Sequence, residues 1–312
     1  MGSYVLRRLL LLVPVLLLVS FITFSVSFFT PGDPVRLLLG QRADPETMRR
    51  ERERLGLDRP FPVQYVSYLA KVAHGDLGTS YAKKGVPVAS LIGEKFSVTF
   101  RLAVLATLLS VVFGVTAGVL SAVRPYSWID YGAMLLALLG VSLPVFYLGF
   151  LLIVFVARNI GLPVSGYDAT NLGTQLVSLL LPSFALGAIS TAVVARLTRS
   201  TMLDVLTQDY VRTARSKGLT EKAVILKHAL RNAAIPIVTV VGTNFGGLLV
   251  GAVLTESVFG LPGLGREIVQ AIFQRDRELI AGGVLFMAVV FVTVNLLVDL
   301  TYAWFDPRVR YE

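Results

Sequence analysis

Long apolar runs, broken by short polar segments, set the rhythm of this chain. A helix needs about 20 apolar residues to cross the hydrocarbon core of a bilayer. Six stretches meet that length: Leu9–Phe29, Val98–Val123, Tyr131–Ala157, Thr174–Ala195, Ile235–Leu254 and Ile280–Trp304. The first follows Arg7 and Arg8 as a signal peptide would. Its run is long for such a segment, however, and no A-x-A cleavage pattern precedes TPGDP, so it reads as a retained first span.

The polar segments carry patterns of their own. Between the first two spans, ETMRRERERLGLDRPFP predicts a helix that stops at Gly56, with prolines after it. Beyond the fifth span, Leu264, Ile268, Ile272 and Leu279 mark one helical face after a Gly-Pro turn, so this loop is expected to lie along the membrane surface. Between spans 4 and 5 sits DYVRTARSKG. From Thr198 onward, Leu203, Leu206, Tyr210 and Ala214 recur at spacings of three and four, which predicts one helix face. Arg212, Arg215 and Lys217 fall on other faces, and Gly218 stands where a left-handed cap ends a helix. Thr220 is placed to cap a second helix running through Lys227 and Arg231, with Pro236 opening the next span. The segment is either a basic amphipathic helix resting on anionic headgroups or a short rigid lever between two spans.

Composition supports the membrane reading: 54% of residues are hydrophobic, 16% are charged and the mean hydropathy is +0.71. A soluble domain has about a quarter of its residues charged. The net charge of +9 fits lipid headgroups and loop bias better than nucleic acid. With no cysteine, neither disulfides nor thiolate metal sites are possible, and His74 and His228 are isolated from one another, so no metal pair is visible. Placing the N-terminus in the cytoplasm gathers Arg7, Arg8, Arg124, Arg199, Arg212, Arg215, Lys217, Lys222, Lys227, Arg231, Arg308 and Arg310 inside. The short outer loops then hold Arg158, Arg266, Arg275 and Arg277. Both termini are therefore expected inside. The fold class is all-α integral membrane. The expected division is residues 1–30 as N-terminal end and span 1, 31–97 as an extracytoplasmic segment, and 98–312 as a core with spans 2 to 6 and a cytoplasmic loop at 198–235.

Polar residues within apolar spans could line a polar path. Ser142, Ser190, Thr191, Thr239, Thr243, Asn244 and Asn295 are the candidates within spans, against the commoner role of such residues as interhelical contacts. Pro144 and Pro182 are expected to kink spans 3 and 4. Asp299 lies inside the last span near its cytoplasmic end, where a structural role is favoured over a proton relay.

The stretch RTARSKGL, followed by HALRNAAIP, resembles the cytoplasmic E-A-A loop of ABC-transporter permeases of the binding-protein-dependent importer class, in the form seen in dipeptide and oligopeptide permeases. Ala214 and Gly218 match its alanine and glycine, while Arg212 replaces its acidic first position. RRLLLLVPVLLLVSFITF, TPGDP, GDLGTSY, SLPVFYLGF, VFGLPGLG and DLTYAWFDPRVRY follow the peptide-permease pattern in order, over essentially the whole chain. The match is closest to the first of two permease subunits. The resemblance implies a type I importer permease with six spans and a periplasmic segment after the first, in a bacterial or archaeal cytoplasmic membrane. It implies a second homologous permease, two ATPase subunits and an extracytoplasmic peptide-binding protein as partners, besides lipid. It further implies that Tyr210, Arg212, Ala214, Arg215, Lys217 and Gly218 form an ATPase-coupling helix. No G-K-S or G-K-T occurs, hence no P-loop, so the chain is expected to be no enzyme and to bind no cofactor, with ATP and Mg used by the partner ATPases. Related permeases for nickel chelates or other small solutes share these motifs. An ion-coupled secondary transporter would show internal repeats and mid-membrane acids, and an intramembrane enzyme a catalytic pair, neither of which is seen.

Overall fold

A computed structural model describes residues 2–30, 34–39, 44–83 and 85–305. Residues 31–33 of the TPGDP motif, together with Arg308 and Arg310, lie outside the described residues. Those described contain helices and no strand beyond one isolated bridge, Thr79 to Pro87. In order these are α1 (Gly2–Phe29), α2 (Pro34–Leu39), α3 (Pro45–Arg54), α4 (Phe61–Ala73), α5 (Val88–Val123), α6 (Trp128–Ser142), α7 (Val145–Ile160), α8 (Leu172–Leu206), α9 (Asp209–Ser216), α10 (Glu221–Val258), α11 (Leu264–Gln274) and α12 (Arg277–Phe305). Five are long and apolar enough to cross a membrane, and the count is six with α6 and α7 taken as one broken span. All expected spans fall inside these helices. The kink expected at Pro144 is a break with a bend of 112°. Proline deprives the chain of a backbone donor and forces Leu143 into extended geometry. Pro182 and Pro236, by contrast, lie within unbroken helices. α10 starts well before Pro236 and passes through a π-helical turn at Val224–Ala229.

The chain forms two compact units, residues 1–99 with 262–292 and residues 100–261 with 293–312. In the first, α1 is anchored by aromatic packing: Phe21 meets Tyr65 edge-on at 5.4 Å and Phe24 stacks on Tyr68 at 5.3 Å. The Tyr65 hydroxyl also donates to the Leu17 carbonyl at 3.2 Å. Asp44 caps α3 by accepting from the Thr47 amide, and Gly56, in left-handed geometry, ends the helix region as its sequence predicts. A second cluster joins Val88, Leu91 and Ile92 of α5 to Leu264 and Ala271 of α11 and Leu279 and Met287 of α12. Arg275 adopts φ +54 between α11 and α12, so Leu279 does not continue the α11 face; Leu264 is buried, whereas Ile272 is exposed.

The GDLGTSY motif finds its role here. Asp276 is fully buried and accepts from the Ser80 hydroxyl, from the Ala82 amide at 3.1 Å and from the Leu279 amide at 3.2 Å. Lys83 pairs with Glu267. Tyr81 donates to Glu278 at 3.1 Å, and burial, reinforced by that carboxylate, pushes its hydroxyl above the ordinary phenol range. Gly78 turns the chain at φ +78, a left-handed conformation that favours glycine. Asp276→Ala strands three donors and should cost roughly 2–3 kcal/mol. Limited trypsin digestion should then cut after Lys83 faster than in the unaltered protein; an unchanged rate would show that the network is not what holds this loop.

In the second unit α8 is central, with Leu179, Leu186, Val194, Ala195 and Met202 buried along it. α5 packs against α8 through small residues. A Cβ on Gly114 would lie 2.9 Å from the Thr191 carbonyl oxygen, and one on Gly118 would lie 2.6 Å from that of Ala195. Glycines four apart let two backbones approach in lipid, where close packing replaces hydrophobic driving force.

Candidate functional site

The polar interruption between spans folds as α9, an eight-residue helix set between the ends of α8 and α10. It is not a continuation of α8. Gln208 takes extended geometry (φ −69°, ψ 150°), which breaks the helix and resets its rotation. The face predicted from Leu203, Leu206, Tyr210 and Ala214 is therefore divided. Val211 and Ala214 are buried, clustering with Val224 of α10 and with Val205 and Leu206 of α8, whereas Tyr210 is exposed. Gly218, at φ +78, turns the chain after the last helical turn, and a Cβ there would meet nothing within 4 Å. Its requirement is conformational, not steric. Thr220 occupies the N-cap position of α10 but its side chain makes no capping bond.

The charges of α9 stand outward. Arg212 is 3.7 Å from Asp209 with both side chains well exposed, an ion pair of small energetic weight. Arg215 reaches the Glu221 carboxylate with Nε at 2.9 Å and Nη2 at 3.4 Å, which straps α9 to the start of α10 across the Gly218 turn. Lys217 is exposed at the C-cap. Tyr210, Arg212, Arg215 and Lys217 thus share one short exposed element, with Ala214 on its underside.

A second feature has no signal in the sequence. Asp130, on the first turn of α6, is 2% exposed and receives Arg199 of α8 in a two-pronged contact, Nε at 2.6 Å and Nη2 at 2.7 Å. The Tyr126 amide donates to the same carboxylate at 2.9 Å, with Tyr126 at φ +59. Ser127 caps α6. Along the chain Arg199 is one more cation of the polar segments; in the fold its pairing with Asp130 joins α6 to α8 two turns before α8 ends.

The polar span residues divide by their partners. The hydroxyls of Ser142, Thr191 and Thr239 donate to their own helix one turn back, to Leu138, Gly187 and Ile235. Thr243 does the same toward Thr239 and Val240. Ser190 is buried, and Asn295 is half-buried on α12. Asn244 is different: among the described residues its enclosed Nδ2 meets no acceptor. Thr191 lines a cavity of about 330 Å³ between α5, α6 and α8, with Ser183 and Gly187 beside it. Asp299 is half-buried near the end of α12.

Comparison with known proteins gives this geometry a setting. The family described as binding-protein-dependent transport system inner membrane component matches residues 114–311, and the N-terminal family of such membrane components matches residues 1–112. The chain is 42% identical to the dipeptide transport system permease protein DppB of Alkalihalophilus pseudofirmus. It is 44% identical to a putative peptide transport system permease protein of Brucella abortus, and 44% identical to the glutathione transport system permease protein GsiC of Pectobacterium atrosepticum. Each alignment covers 100% of both chains. Among solved structures, inward facing conformations of the MetNI methionine ABC transporter align with TM-score 0.55 at 18% identity, over 72% of this chain and 98% of that one. An amino acid ABC transporter crystallised with histidines aligns with TM-score 0.50 at 20% identity, over 71% and 95%. At such identities these two show the fold.

Proposed function

We propose, for a chain that belongs to the family of binding-protein-dependent transport system inner membrane components, that it is the membrane-spanning subunit of an ATP-driven importer of dipeptides or oligopeptides, working by alternating access. The observation that carries this is the full-length similarity to permeases named for dipeptide, peptide and glutathione transport. The cargo class those names share is a short peptide, ionised at its ends. Nucleotide is hydrolysed elsewhere, by two partner ATPases using ATP and Mg. A second homologous permease completes the pathway, and an extracytoplasmic binding protein delivers the peptide. Both termini and the 198–235 loop lie in the cytoplasm, residues 31–97 outside, with residues 98–312 as the core.

In this reading α9 is the lever. Its exposed Tyr210, Arg212, Arg215 and Lys217 meet the ATPase, while Val211 and Ala214 are glued to α8 and α10. A push on α9 therefore moves both spans as a body, and the Asp130–Arg199 pair hands the motion to α6. Ala214 acts as a spacer that keeps the lever close to its own bundle. For the peptide, Thr191, Thr239, Thr243, Ser142, Ser190 and Asn295 supply hydroxyl and amide groups along the path, and Asn244 offers an amide donor that meets no acceptor among the described residues.

Gly218 provides the test. An aspartate there carries about 1–2 kcal/mol of left-handed strain, which the lever relieves by changing its exit angle. Gly218→Asp should leave the chain inserted at normal levels and reduce ATP-dependent peptide uptake by the assembled importer severalfold. Unimpaired uptake at equal expression would count against α9 as the coupling element.

A further inference from the structure

Arg101 is the one charged residue of α5 between Phe96 and Val123, a stretch otherwise built for lipid. A cation in such a run is costly unless something meets it. Here Nη1 donates to the Tyr167 hydroxyl at 2.8 Å and to Gln175 Oε1 at 2.9 Å, both neutral acceptors. Gln175 is in turn oriented through its Nε2, which donates to the Ala169 carbonyl at 3.3 Å. The guanidinium is thus held in place by neutral partners: among the described residues no carboxylate pairs with it, and Nε and Nη2 find no protein acceptor.

Beside it an apolar groove of about 400 Å³ runs between α5 and α8, lined by Leu105 and Leu108 on one wall and Leu172, Leu176 and Leu179 on the other. Leu108, Leu172 and Leu176 are exposed within it. Depth decides what fits. Arg101 stands roughly 33 Å along the helix from Val123 at 1.5 Å per residue, about the thickness of the hydrocarbon core. With Val123 at one interface, Arg101 is level with the headgroups of the other leaflet, and the leucine groove descends from it into the acyl region. A zwitterionic peptide would gain nothing from such a floor. We infer that Arg101 and the α5–α8 groove bind one phospholipid of net negative charge, its phosphate on the free edge of the guanidinium and an acyl chain along the leucines. This site stands independently of the importer reading.

A tryptophan at the groove rim reports on it. The full chain carrying Leu172→Trp is reconstituted in phosphatidylcholine vesicles containing brominated phosphatidylglycerol or brominated phosphatidylcholine, with the unaltered chain subtracting the signal of Trp128 and Trp304. Quenching by phosphatidylglycerol should reach its midpoint at a mole fraction roughly fivefold lower, the effect of one basic residue near a membrane surface. Adding Arg101→Gln should bring the two midpoints together while quenching by phosphatidylcholine persists. Should that variant fail to insert, raising salt toward 1 M on Leu172→Trp alone should erase the preference by screening. Equal midpoints with Arg101 present, a preference that survives Arg101→Gln or high salt, or relief of quenching by added dipeptide would overturn the proposal, the last by assigning the groove to cargo.

Discussion

Asp130→Ala should lower the apparent melting temperature of the purified chain by on the order of 5 °C, equivalent to roughly 3 kcal/mol for a chain of this size. Three donors converge on this carboxylate: Arg199 Nε at 2.6 Å, Arg199 Nη2 at 2.7 Å and the Tyr126 amide at 2.9 Å. With Asp130 gone, Arg199 keeps its charge in a site that exposes a quarter of its side chain. An uncompensated buried charge costs more than the pair contributes. It follows that Asp130→Ala combined with Arg199→Met should regain much of the lost stability, because an apolar side chain of similar length needs no partner. If the double variant recovered stability yet the assembled importer still failed to couple ATP hydrolysis to uptake, the pair would be identified as a link in transmission. A melting temperature unmoved by Asp130→Ala would show that the pair contributes nothing.

Gly118→Leu should be at least as damaging, by about 3 kcal/mol or more. The new Cβ alone would lie 2.5 Å from Thr198 Cβ and 2.6 Å from the Ala195 carbonyl oxygen. Neither is the free end of a flexible side chain, so α5 and α8 must separate. The residues that would be parted include Ala122, Val194 and Met202, all buried in one cluster. Gly247→Ala is the matched control, since a Cβ there meets nothing within 4 Å and alanine suits a helix better than glycine. Gly118→Leu should yield chain that is cut readily by protease and recovered poorly from membranes, while Gly247→Ala behaves as the unaltered protein. Equal yield and melting temperature for both would show that α5 and α8 do not depend on this close approach.

Much of the fold is legible in the residues, for reasons that differ from place to place. The helix over residues 45–54 and its stop at Gly56 come from local chemistry, an Asp cap and a glycine free to turn left-handed. Pro144 announces an interruption, but not its 112° size, because the angle is set by what α6 and α7 pack against. Tyr210 belongs to the apolar face only if one helix runs unbroken from Thr198; the extended Gln208 rotates α9 relative to α8, and Val211 takes that place. Asp130 is visible as an acid near a Ser127 cap, yet nothing along the chain ties it to Arg199, 69 residues on.

Apolar run length by itself determined where this chain can cross a bilayer, since in hydrocarbon every backbone group must be satisfied within its own helix and that condition is local. Which side of each helix meets another was decided only by tertiary structure. In a lipid solvent the outward face is as apolar as the inward one, with Leu135, Leu136 and Leu138 exposed on α6 beside buried Ala137, so periodicity carries no mark of the core. The contacts that distinguish this protein, Gly118 under Thr198 and Asp130 against Arg199, arise from small residues and charges whose partners are chosen by helix packing across long separations in sequence.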